Sequence, residues 1–225
     1  MVQNLRAILF DFDYTLADSS RGVVECINYA LENLGVPPVS AEQACRTIGL
    51  SLPNTFRTLA EQEHHLLSDD FVRLFVERAD QVMADRTFLF APVPQTIKTL
   101  QQNGLKLGIV STKYRYRIEA ILNRDGLSDL FDIVIGGEDV AQHKPDPAGL
   151  QIALHRLGCN PAEVFYVGDS LTDAQTAQRA EVRFVAVLSG ATPRDDFNGY
   201  PVYKFLANVS ELPDLLKLTP ERITE

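Results

Sequence analysis

Hydrophobic residues along the chain follow two different periodicities, and the change between them divides the sequence. The run Leu5–Phe10 is short, apolar and followed at once by carboxylates, which is typical of a buried strand in a parallel sheet. From Asp18 to Asp85 the apolar positions instead recur at helical spacing. This stretch predicts a block of roughly four helices and no strand.

Start and stop signals mark the helices of this block. The first is expected to end at Gly35, because glycine favours helix termination. Ser40 and Gln43 have the spacing of a capping box for a short second helix that ends near residue 49. We expect a third helix over about 53–64 and a fourth over about 68–85, with Ser68 as its N-cap.

Beyond residue 90 short apolar runs alternate with helical segments. The apolar runs are 105–111, 131–137, 164–169 and 182–188, and helical patterns lie near 94–102, 114–123 and 172–180 and from 146 onward. This alternation predicts an α/β fold in which a Rossmann-like parallel sheet is covered by helices on both faces. Because the helical block separates the first strand from the others, we expect an α/β core of residues 1–16 and 90–225 and an inserted helical cap domain of residues 17–89.

Polar side chains follow several of the predicted strands. Ligands of open α/β sheets bind beyond the carboxyl ends of the strands, so these residues are the first candidates for a site. The candidates after strands are Asp11, Asp13, Ser111, Thr112, Lys113, Asp169 and Asp173, and Lys144 lies in the loop "HKPDP" before a helix.

The carboxylates among these candidates favour a divalent cation. Asp11 and Asp13 are two residues apart in an extended segment and repel each other unless a cation or a proton compensates. Asp169 and Asp173 follow another apolar strand, and a set of oxygen ligands indicates Mg²⁺ rather than zinc. Each residue alone also has a simpler interpretation: a solvated turn for the aspartate pair, a helix-start acid for Asp173 and a solvated loop lysine for Lys144.

Charge and cysteine content narrow the classes of function. The chain has 21 Lys and Arg against 30 Asp and Glu, a formal net charge of -9, which disfavours binding to nucleic acid or to anionic membranes. An anionic substrate would then need a small site with its own cations. The three cysteines are far apart and have no metal-type spacing, which favours reduced thiols and a cytoplasmic location. No charged leader or long apolar run appears, so we expect no membrane span.

Four segments in order carry a resemblance to a known family. "DFDYTL", "IVSTK", "HKPDP" and "VGDSLTD" resemble the four motifs of the haloacid dehalogenase superfamily of phosphohydrolases. The likeness covers essentially the whole chain, because the helical block lies where that superfamily inserts its helical cap. Within the superfamily, the residues of the motifs are most similar to those of the phosphoglycolate phosphatases and pyrophosphatases.

The resemblance implies catalytic roles for four residues. Asp11 would be the nucleophile that forms an aspartyl-phosphate. Asp13 would act first as general acid for the leaving oxygen and then as general base for water. Ser111 would hydrogen-bond a phosphoryl oxygen, and Lys144 would stabilise negative charge on the phosphoryl group and beside Asp11.

The resemblance also implies binding roles. Backbone N–H groups around Phe12 and Thr112 would contact the phosphoryl oxygens, and Lys113 is the best placed residue to reach the rest of the substrate. Mg²⁺ would be bound by three residues, with a further aspartate bracing the site from behind. The three are Asp11, Asp13 through its backbone carbonyl, and Asp169, and the bracing residue is Asp173.

Two features depart from the family pattern. Tyr14 stands where the first motif often has glycine, and a non-glycine residue disfavours positive φ there. The cap loop 47–56 has no charged residue between Arg46 and Arg57, so it supplies no cation for a substrate carboxylate.

A solvated helix face is the simpler expectation for Arg117.

These observations lead to a Mg²⁺-dependent phosphatase that acts on a small phosphorylated metabolite, such as a phosphoglycolate-like phosphomonoester, through an aspartyl-phosphate. Inorganic pyrophosphatase and phosphosugar mutase activities of the same superfamily remain alternatives. A non-catalytic phospho-acceptor or binding module is an alternative from another class. The sequence is compatible with a monomer or a homodimer.

Overall fold

A six-stranded parallel sheet forms the centre of the molecule. The computed structural model describes residues 4–218, apart from the side chain at position 63. The sheet has the strand order β5-β4-β1-β6-β7-β8, and its neighbouring strands are parallel throughout. Its strands are β1 (Ala7–Phe10), β4 (Lys106–Val110), β5 (Ile133–Ile135), β6 (Val164–Gly168), β7 (Arg183–Val187) and β8 (Val202–Leu206), while β2 (Ala17–Asp18) and β3 (Phe88–Leu89) form a separate two-stranded ribbon.

Helices cover both faces of this sheet, as predicted for an α/β fold. Strand β1 lies between β4 and β6, and all four of its residues are fully buried because successive side chains enter opposite cores. Helices α5 (Val93–Gln102), α6 (Arg115–Arg124) and α9 (Leu212–Leu216) pack on one face, and α7 (Ala148–Leu157) and α8 (Leu171–Arg179) pack on the other.

The inserted helical block has a core of its own. It contains α1 (Ser20–Asn33), α2 (Ala41–Cys45), α3 (Leu52–Leu59) and α4 (Ser68–Val82). Their apolar faces meet in a third cluster that includes the stacked rings of Phe56 and Phe71, whose centroids are 4.7 Å apart. The ribbon of β2 and β3 joins the two chain segments that connect this block to the sheet.

Several predicted boundaries hold and others are wrong. The capping box of α2 is confirmed: Gln43 N donates to Ser40 Oγ at 3.2 Å, and Ser40 N donates to Gln43 Oε1 at 2.9 Å. The third helix ends at Leu59 rather than near residue 64, and a short 3₁₀ segment follows it. Ser68 is the first residue inside α4 and makes no capping hydrogen bond, so its predicted cap role is wrong.

The sequence patterns did not predict β8 and α9. Strand β8 lies at the edge of the sheet and only its last residue is buried, so it lacks the continuous apolar run of the central strands. The five residues of α9 are too few to show a helical period. Of the described helices, none combines the length and the apolar character that crossing a membrane requires.

Candidate active site

Three of the candidate residues directly follow neighbouring strands, at the same edge of the sheet. Phe10 pairs with Ile109 of β4 on one side and with Val167 of β6 on the other. The residues that follow these strands, Asp11, Ser111 and Asp169, are all buried and therefore lie close together at the carboxyl edge. Their proximity results from strand order, because β1 is central although it is first in the chain.

A cluster of buried carboxylates lies at this edge. Oxygen atoms of Asp11, Asp169 and Asp173 all lie within 4.8 Å of one another. Burial raises the pKa of Asp11 to about 6, with opposing effects from the Lys144 charge and the neighbouring carboxylates. Burial, followed by the charges of Asp173 and Asp11, raises the pKa of Asp169 well above its ordinary value. The cluster therefore holds more negative charge than a buried site retains without a cation.

Lys144 is the cation that faces this cluster. Its Nζ lies 2.9 Å from Asp11 Oδ1 and 2.6 Å from Asp173 Oδ1, and both pairs are buried. Burial lowers the pKa of Lys144, but the charges of Asp11 and Asp173 outweigh burial and hold this pKa above its ordinary value. The solvated-loop interpretation of Lys144 is therefore wrong, because the side chain is 5% exposed and forms two buried ion pairs.

Asp173 has all of its acceptor positions directed at protein groups. Its Oδ1 accepts from Lys144 Nζ and Tyr166 Oη, and its Oδ2 accepts from the Ser170 backbone N at 3.1 Å and from Ser170 Oγ at 2.6 Å. These bonds tie the start of α8 to the lysine. The arrangement suits a residue that holds Lys144 in position beside the cluster.

Asp13 is separate from the carboxylate cluster and pairs with Lys113. Lys113 Nζ lies 2.9 Å from Asp13 Oδ1 and 3.2 Å from Oδ2, and both side chains are nearly buried. The same ammonium lies 6.0 Å from the centroid of the Phe12 ring, whose side chain is part of the core. The structure thus brings Lys113 next to the candidate acid and base.

Ser111 and Thr112 form the turn between β4 and Lys113. Ser111 is 6% exposed, and its Oγ accepts from the Lys113 backbone N at 3.3 Å. Thr112 Oγ1 donates to the carbonyl oxygen of Gly49, in the loop between α2 and α3, at 3.4 Å. That bond connects the turn directly to the helical block.

The site contains residues that the sequence analysis missed. Thr15 Oγ1 donates to Asp169 Oδ1 at 3.2 Å, and Gly190 leaves the space that Asp169 Oδ2 occupies, because a Cβ there would overlap that oxygen. Tyr166 contacts both Lys144 and Asp173. A polar residue inside an otherwise apolar strand was the one available signal for Tyr166.

Tyr14 adopts the backbone conformation that glycine would favour. Its φ is 62°, in the left-handed region, at a cost of about 1–2 kcal/mol for a residue with a side chain. Its N donates to the Ala17 carbonyl at 2.7 Å, and its carbonyl accepts from Ser189 Oγ at 2.6 Å, so both backbone groups are paired. The expectation that a tyrosine disfavours positive φ here is overruled by these two hydrogen bonds, one of which comes from Ser189, distant in the sequence.

Two cavities lie between the sheet edge and the helical block. The Asp13 cavity has a volume of about 190 Å³, and the Asp169 cavity has a volume of about 520 Å³. The Asp13 cavity is lined by Asp13, Thr112, Lys113, Arg117, His143 and mainly apolar or uncharged residues of the block. Tyr14, Cys45, Arg46 and Asp169 line the Asp169 cavity, and Ile48 and Leu50 line both. The loop around Gly49 therefore separates them.

The charged groups of the Asp13 cavity come from the sheet side. Lining residues of the loop between α2 and α3 are uncharged, as its sequence predicted. Arg117 is 6% exposed and donates from Nη2 to Asp80 Oδ1 of α4 at 2.6 Å and to the Val76 carbonyl at 3.1 Å. The expectation of a solvated Arg117 is therefore wrong. Lys113 is the second cation of this lining, and its ion pair is with Asp13, at the sheet edge, rather than with the helical block.

His143 lies beside the candidate lysine and is half-buried. It lines the Asp13 cavity, and its Nδ1 is buried without a hydrogen-bond partner among the described residues. Burial lowers the pKa of His143, so the imidazole is neutral near pH 7. The residue therefore contributes a neutral polar wall rather than a charge.

The carboxylate cluster has the donor chemistry of a magnesium site. Carboxylate oxygens are the ligands that Mg²⁺ prefers, and no described His or Cys belongs to the cluster. Asp11 Oδ1 is buried and accepts no hydrogen bond of good geometry, although Lys144 Nζ is 2.9 Å away. A buried carboxylate oxygen in this state is suited to bind a cation. The residues present therefore fit a hard divalent metal ion.

The sequence of the chain is similar to those of known enzymes over most of its length. The family of haloacid dehalogenase-like hydrolases matches residues 8–187. A phosphoglycolate phosphatase of Salmonella typhi is 32% identical over 210 residues, covering 84% of this chain and 83% of the relative. A phosphoglycolate phosphatase of Escherichia coli O157:H7 is 32% identical over 209 residues with the same coverage.

Solved structures show the same architecture. A haloacid dehalogenase-like hydrolase structure from Bacteroides fragilis has a TM-score of 0.87 and 42% identity, covering 92% of this chain and 99% of that one. A structure from Lactobacillus plantarum, described as a phosphoglycolate phosphatase, has a TM-score of 0.83 and 26% identity, covering 96% and 100% of the two chains. This coverage includes the sheet and the helical block together.

Proposed function

The chain belongs to the haloacid dehalogenase-like hydrolase family, and from that premise we propose that it is a Mg²⁺-dependent phosphatase of small phosphorylated metabolites of the phosphoglycolate type. The observation that carries the proposal is the buried cluster of Asp11, Asp169 and Asp173 facing Lys144, with Asp13 and Lys113 at its side. The set contains a nucleophile, an acid and base, and cations for a phosphoryl group.

In the first proposed step, a carboxylate oxygen of Asp11 attacks phosphorus. The bond between phosphorus and the ester oxygen breaks, and Asp13 donates a proton to that oxygen as the alcohol leaves. Lys144, with Ser111 and the N–H groups near Phe12, stabilises the charge on the phosphoryl oxygens. Asp11 then carries the phosphoryl group as an aspartyl-phosphate.

In the second proposed step, Asp13 takes a proton from water, whose oxygen attacks the phosphorus of the aspartyl-phosphate. The bond between phosphorus and the Asp11 oxygen breaks, and the products are inorganic phosphate and the free carboxylate. Mg²⁺ would be held by Asp11, Asp169 and the backbone carbonyl of Asp13, and it would neutralise charge on the phosphoryl oxygens. Asp173 holds Lys144 in place during both steps.

Lys113 is the residue that we propose binds the part of the substrate beyond the phosphoryl group. It is buried at the wall of the Asp13 cavity, while Arg117 is already bound to Asp80. A carboxylate on a small leaving group would find its opposite charge at Lys113. Binding there would also separate Lys113 from Asp13, which leaves Asp13 free to carry the proton for the first step. The cavity volume of about 190 Å³ favours leaving groups of a few carbon atoms.

Hydrolysis of a substrate panel tests the reaction. The panel contains phosphoglycolate, other small phosphomonoesters, a sugar phosphate, a nucleotide and pyrophosphate, each with Mg²⁺ or with EDTA. We expect Mg²⁺-dependent release of phosphate, with phosphoglycolate among the best substrates. Asp11→Asn should lower kcat on the order of 10³-fold or more because the nucleophile is lost.

Asp129→Asn is the matched control, because Asp129 is an exposed aspartate that precedes the first residue of β5, whereas the site lies at the carboxyl ends of the strands. Release of phosphate that survives Asp11→Asn would contradict the proposed mechanism. Preference for pyrophosphate would instead identify an inorganic pyrophosphatase. Isomerisation of the sugar phosphate without net release would identify a mutase.

Lys113→Met tests the substrate class. We expect KM for phosphoglycolate to rise about 10–100-fold, since an ion pair in a buried cavity is lost, while KM for ethyl phosphate changes little. Lys98→Met removes an exposed lysine of α5 and serves as the control. An equal rise in KM for both substrates would show that Lys113 does not bind the substrate carboxylate.

A further inference from the structure

Tyr166 places a buried phenol at the centre of the site, and the proposed reaction does not use it. The residue lies on β6 and is fully buried in the core between the sheet and the helices α7 and α8. Its hydroxyl lies 2.9 Å from the carbonyl oxygen of Val110, 3.0 Å from Asp173 Oδ1 and 3.1 Å from Lys144 Nζ. One hydroxyl thus connects the end of β4, the first turn of α8 and the loop that carries the lysine.

Lys144 donates hydrogen bonds to Asp173 Oδ1 and Tyr166 Oη, and it forms an ion pair with Asp11. An ammonium group has three N–H bonds and no acceptor. Three oxygens lie around Nζ: Asp173 Oδ1 at 2.6 Å, Asp11 Oδ1 at 2.9 Å and Tyr166 Oη at 3.1 Å. Because a phenol has a single proton, which has Val110 O and Asp173 Oδ1 as its acceptors, a lone pair of Tyr166 Oη is available to the lysine.

Without the phenol, the two carboxylates alone would hold the ammonium, and they are unequal. Asp173 is the nearer one and is itself fixed through both oxygens by Ser170, Tyr166 and Lys144. Lysine is a point charge on a flexible four-carbon stem, so its position depends on its acceptors. Loss of the third acceptor would let Nζ move toward Asp173 and away from Asp11.

We propose that Tyr166 is a positioning residue that holds the Lys144 ammonium against Asp11 and the phosphoryl group. It does not touch the substrate and acts only through the lysine. This inference rests on the proposed function, in which Lys144 stabilises the phosphoryl group during transfer. Misplacement of a charged group by an ångström is sufficient for a large loss of rate.

Tyr166→Phe is the direct test, because it removes the hydroxyl and keeps the ring in the core. We expect kcat for the best substrate to fall about tenfold or more, and KM to change less than about threefold. A purely structural role would lower the melting temperature and leave the kcat of the folded enzyme unchanged.

The neighbouring residue on the same strand provides a matched control. Phe165 is equally buried, but its side chain enters the core on the opposite face of the sheet. Phe165→Leu should lower the melting temperature without lowering kcat. A similar fall of kcat in both variants would show that the rate depends on the packing of β6, and it would overturn the proposal.

A double variant tests whether the effect passes through the lysine. In a Lys144→Met background, adding Tyr166→Phe should cause no further loss of the residual kcat. A full additional loss would overturn the proposal, as would an unchanged kcat in Tyr166→Phe beside an active wild type. An inactive wild type would overturn the proposed function and the role of Tyr166 with it.

Discussion

At the scale of single residues, the site is an excess of buried carboxylates around one lysine. Asp11, Asp169 and Asp173 are each at most 5% exposed, and Lys144 is the one ammonium within ion-pair distance of Asp11 and Asp173 among the described residues. Burial raises the pKa of Asp11 to about 6, and the neighbouring carboxylates act in the same direction. The site is therefore expected to lower the stability of the metal-free protein and to favour cations.

Asp11→Asn should make the metal-free protein more stable near pH 7.5. Below its ordinary value of 3.8, the Asp11 carboxyl is protonated in both the folded and the unfolded chain. Between that value and about 6 the folded chain binds more protons, so the free energy of unfolding falls as the pH rises. Asparagine does not titrate, so this loss of stability is absent in the variant, and we expect a gain of about 1–3 kcal/mol at pH 7.5.

Urea unfolding in EDTA at pH 5 and pH 7.5 measures this difference. The gain from Asp11→Asn should shrink at the lower pH, where the wild-type carboxyl is mostly protonated. Asp129→Asn, on the surface, should show no such pH-dependent gain. A variant less stable than the wild type at pH 7.5 would contradict the expected effect of the buried carboxylate.

At the scale of elements, helix ends and helix contacts determine where the helical block lies against the sheet. The loop around Gly49 begins just after α2, and Thr112 donates to its backbone. On the other side of the Asp13 cavity, α4 of the helical block contacts α6, which packs on the sheet, through Asp80 and Arg117. The walls of the cavity thus depend on a short capped helix and on one ion pair.

Ser40→Ala should destabilise the protein by about 1 kcal/mol, because α2 loses the side chain that accepts from Gln43 N. Ser68→Ala is the matched control, since Ser68 is the first residue of α4 and its side chain makes no capping hydrogen bond there. That change should stay within about 0.5 kcal/mol. Thermal or urea unfolding of both variants measures the difference, and equal effects would show that the capping box of α2 adds nothing.

Asp80→Ala should weaken the contact between α4 and α6. Arg117 would lose its carboxylate while it remains nearly buried, and Tyr116 Oη would lose the acceptor that is 2.5 Å away. Because the side chain of Asp80 is 48% exposed, water replaces part of the interaction, and we expect a loss of about 1 kcal/mol.

The same variant should raise KM for the preferred substrate, because Val72 and Phe75 of α4 line the Asp13 cavity. Asp70→Ala removes an exposed pair with Arg73 on the same helix and is the control. If both variants behave alike in unfolding and in KM, the contact does not hold the cavity wall.

At the scale of the whole molecule, a metal ion bound at the carboxylate cluster would couple the site to stability. The carboxylates that meet in the cluster come from β1 and from β6 with α8, on either side of the helical insertion in the sequence. A cation bound only by the folded chain shifts the unfolding equilibrium by mass action. The acidic total charge of the chain, -9, adds to the attraction for a divalent ion.

Mg²⁺ should therefore raise the melting temperature, and more strongly at pH 7.5 than at pH 5.5, because protons compete for Asp11 and Asp169. At about a hundred times the dissociation constant, the gain is about 2.7 kcal/mol, or roughly 5–10 °C for a protein of this size. Differential scanning fluorimetry with NaCl at matched ionic strength measures it. Asp169→Asn should abolish the shift, and a shift that persists would place the metal elsewhere.

Local patterns in the sequence determined much of the fold. Strand β1 was predicted from its apolar run, α2 from its capping box and the α/β class from the alternation beyond residue 90. The ends of the predicted strands also indicated the candidates for chemistry, and Lys144 was added from the loop before a helix. These features depend on neighbours within a few residues, and the sequence displays such neighbours directly.

Only the tertiary structure decided which atoms meet. Lys113 and Asp13 are 100 residues apart, Lys144 and Tyr166 are 22 apart, and Arg117 and Asp80 are 37 apart, yet each pair is in hydrogen-bond contact. The positive φ of Tyr14, the edge strand β8 and the two cavities likewise depend on packing between distant segments. Contacts of this kind follow from strand order and burial, and no local pattern of residues encodes them.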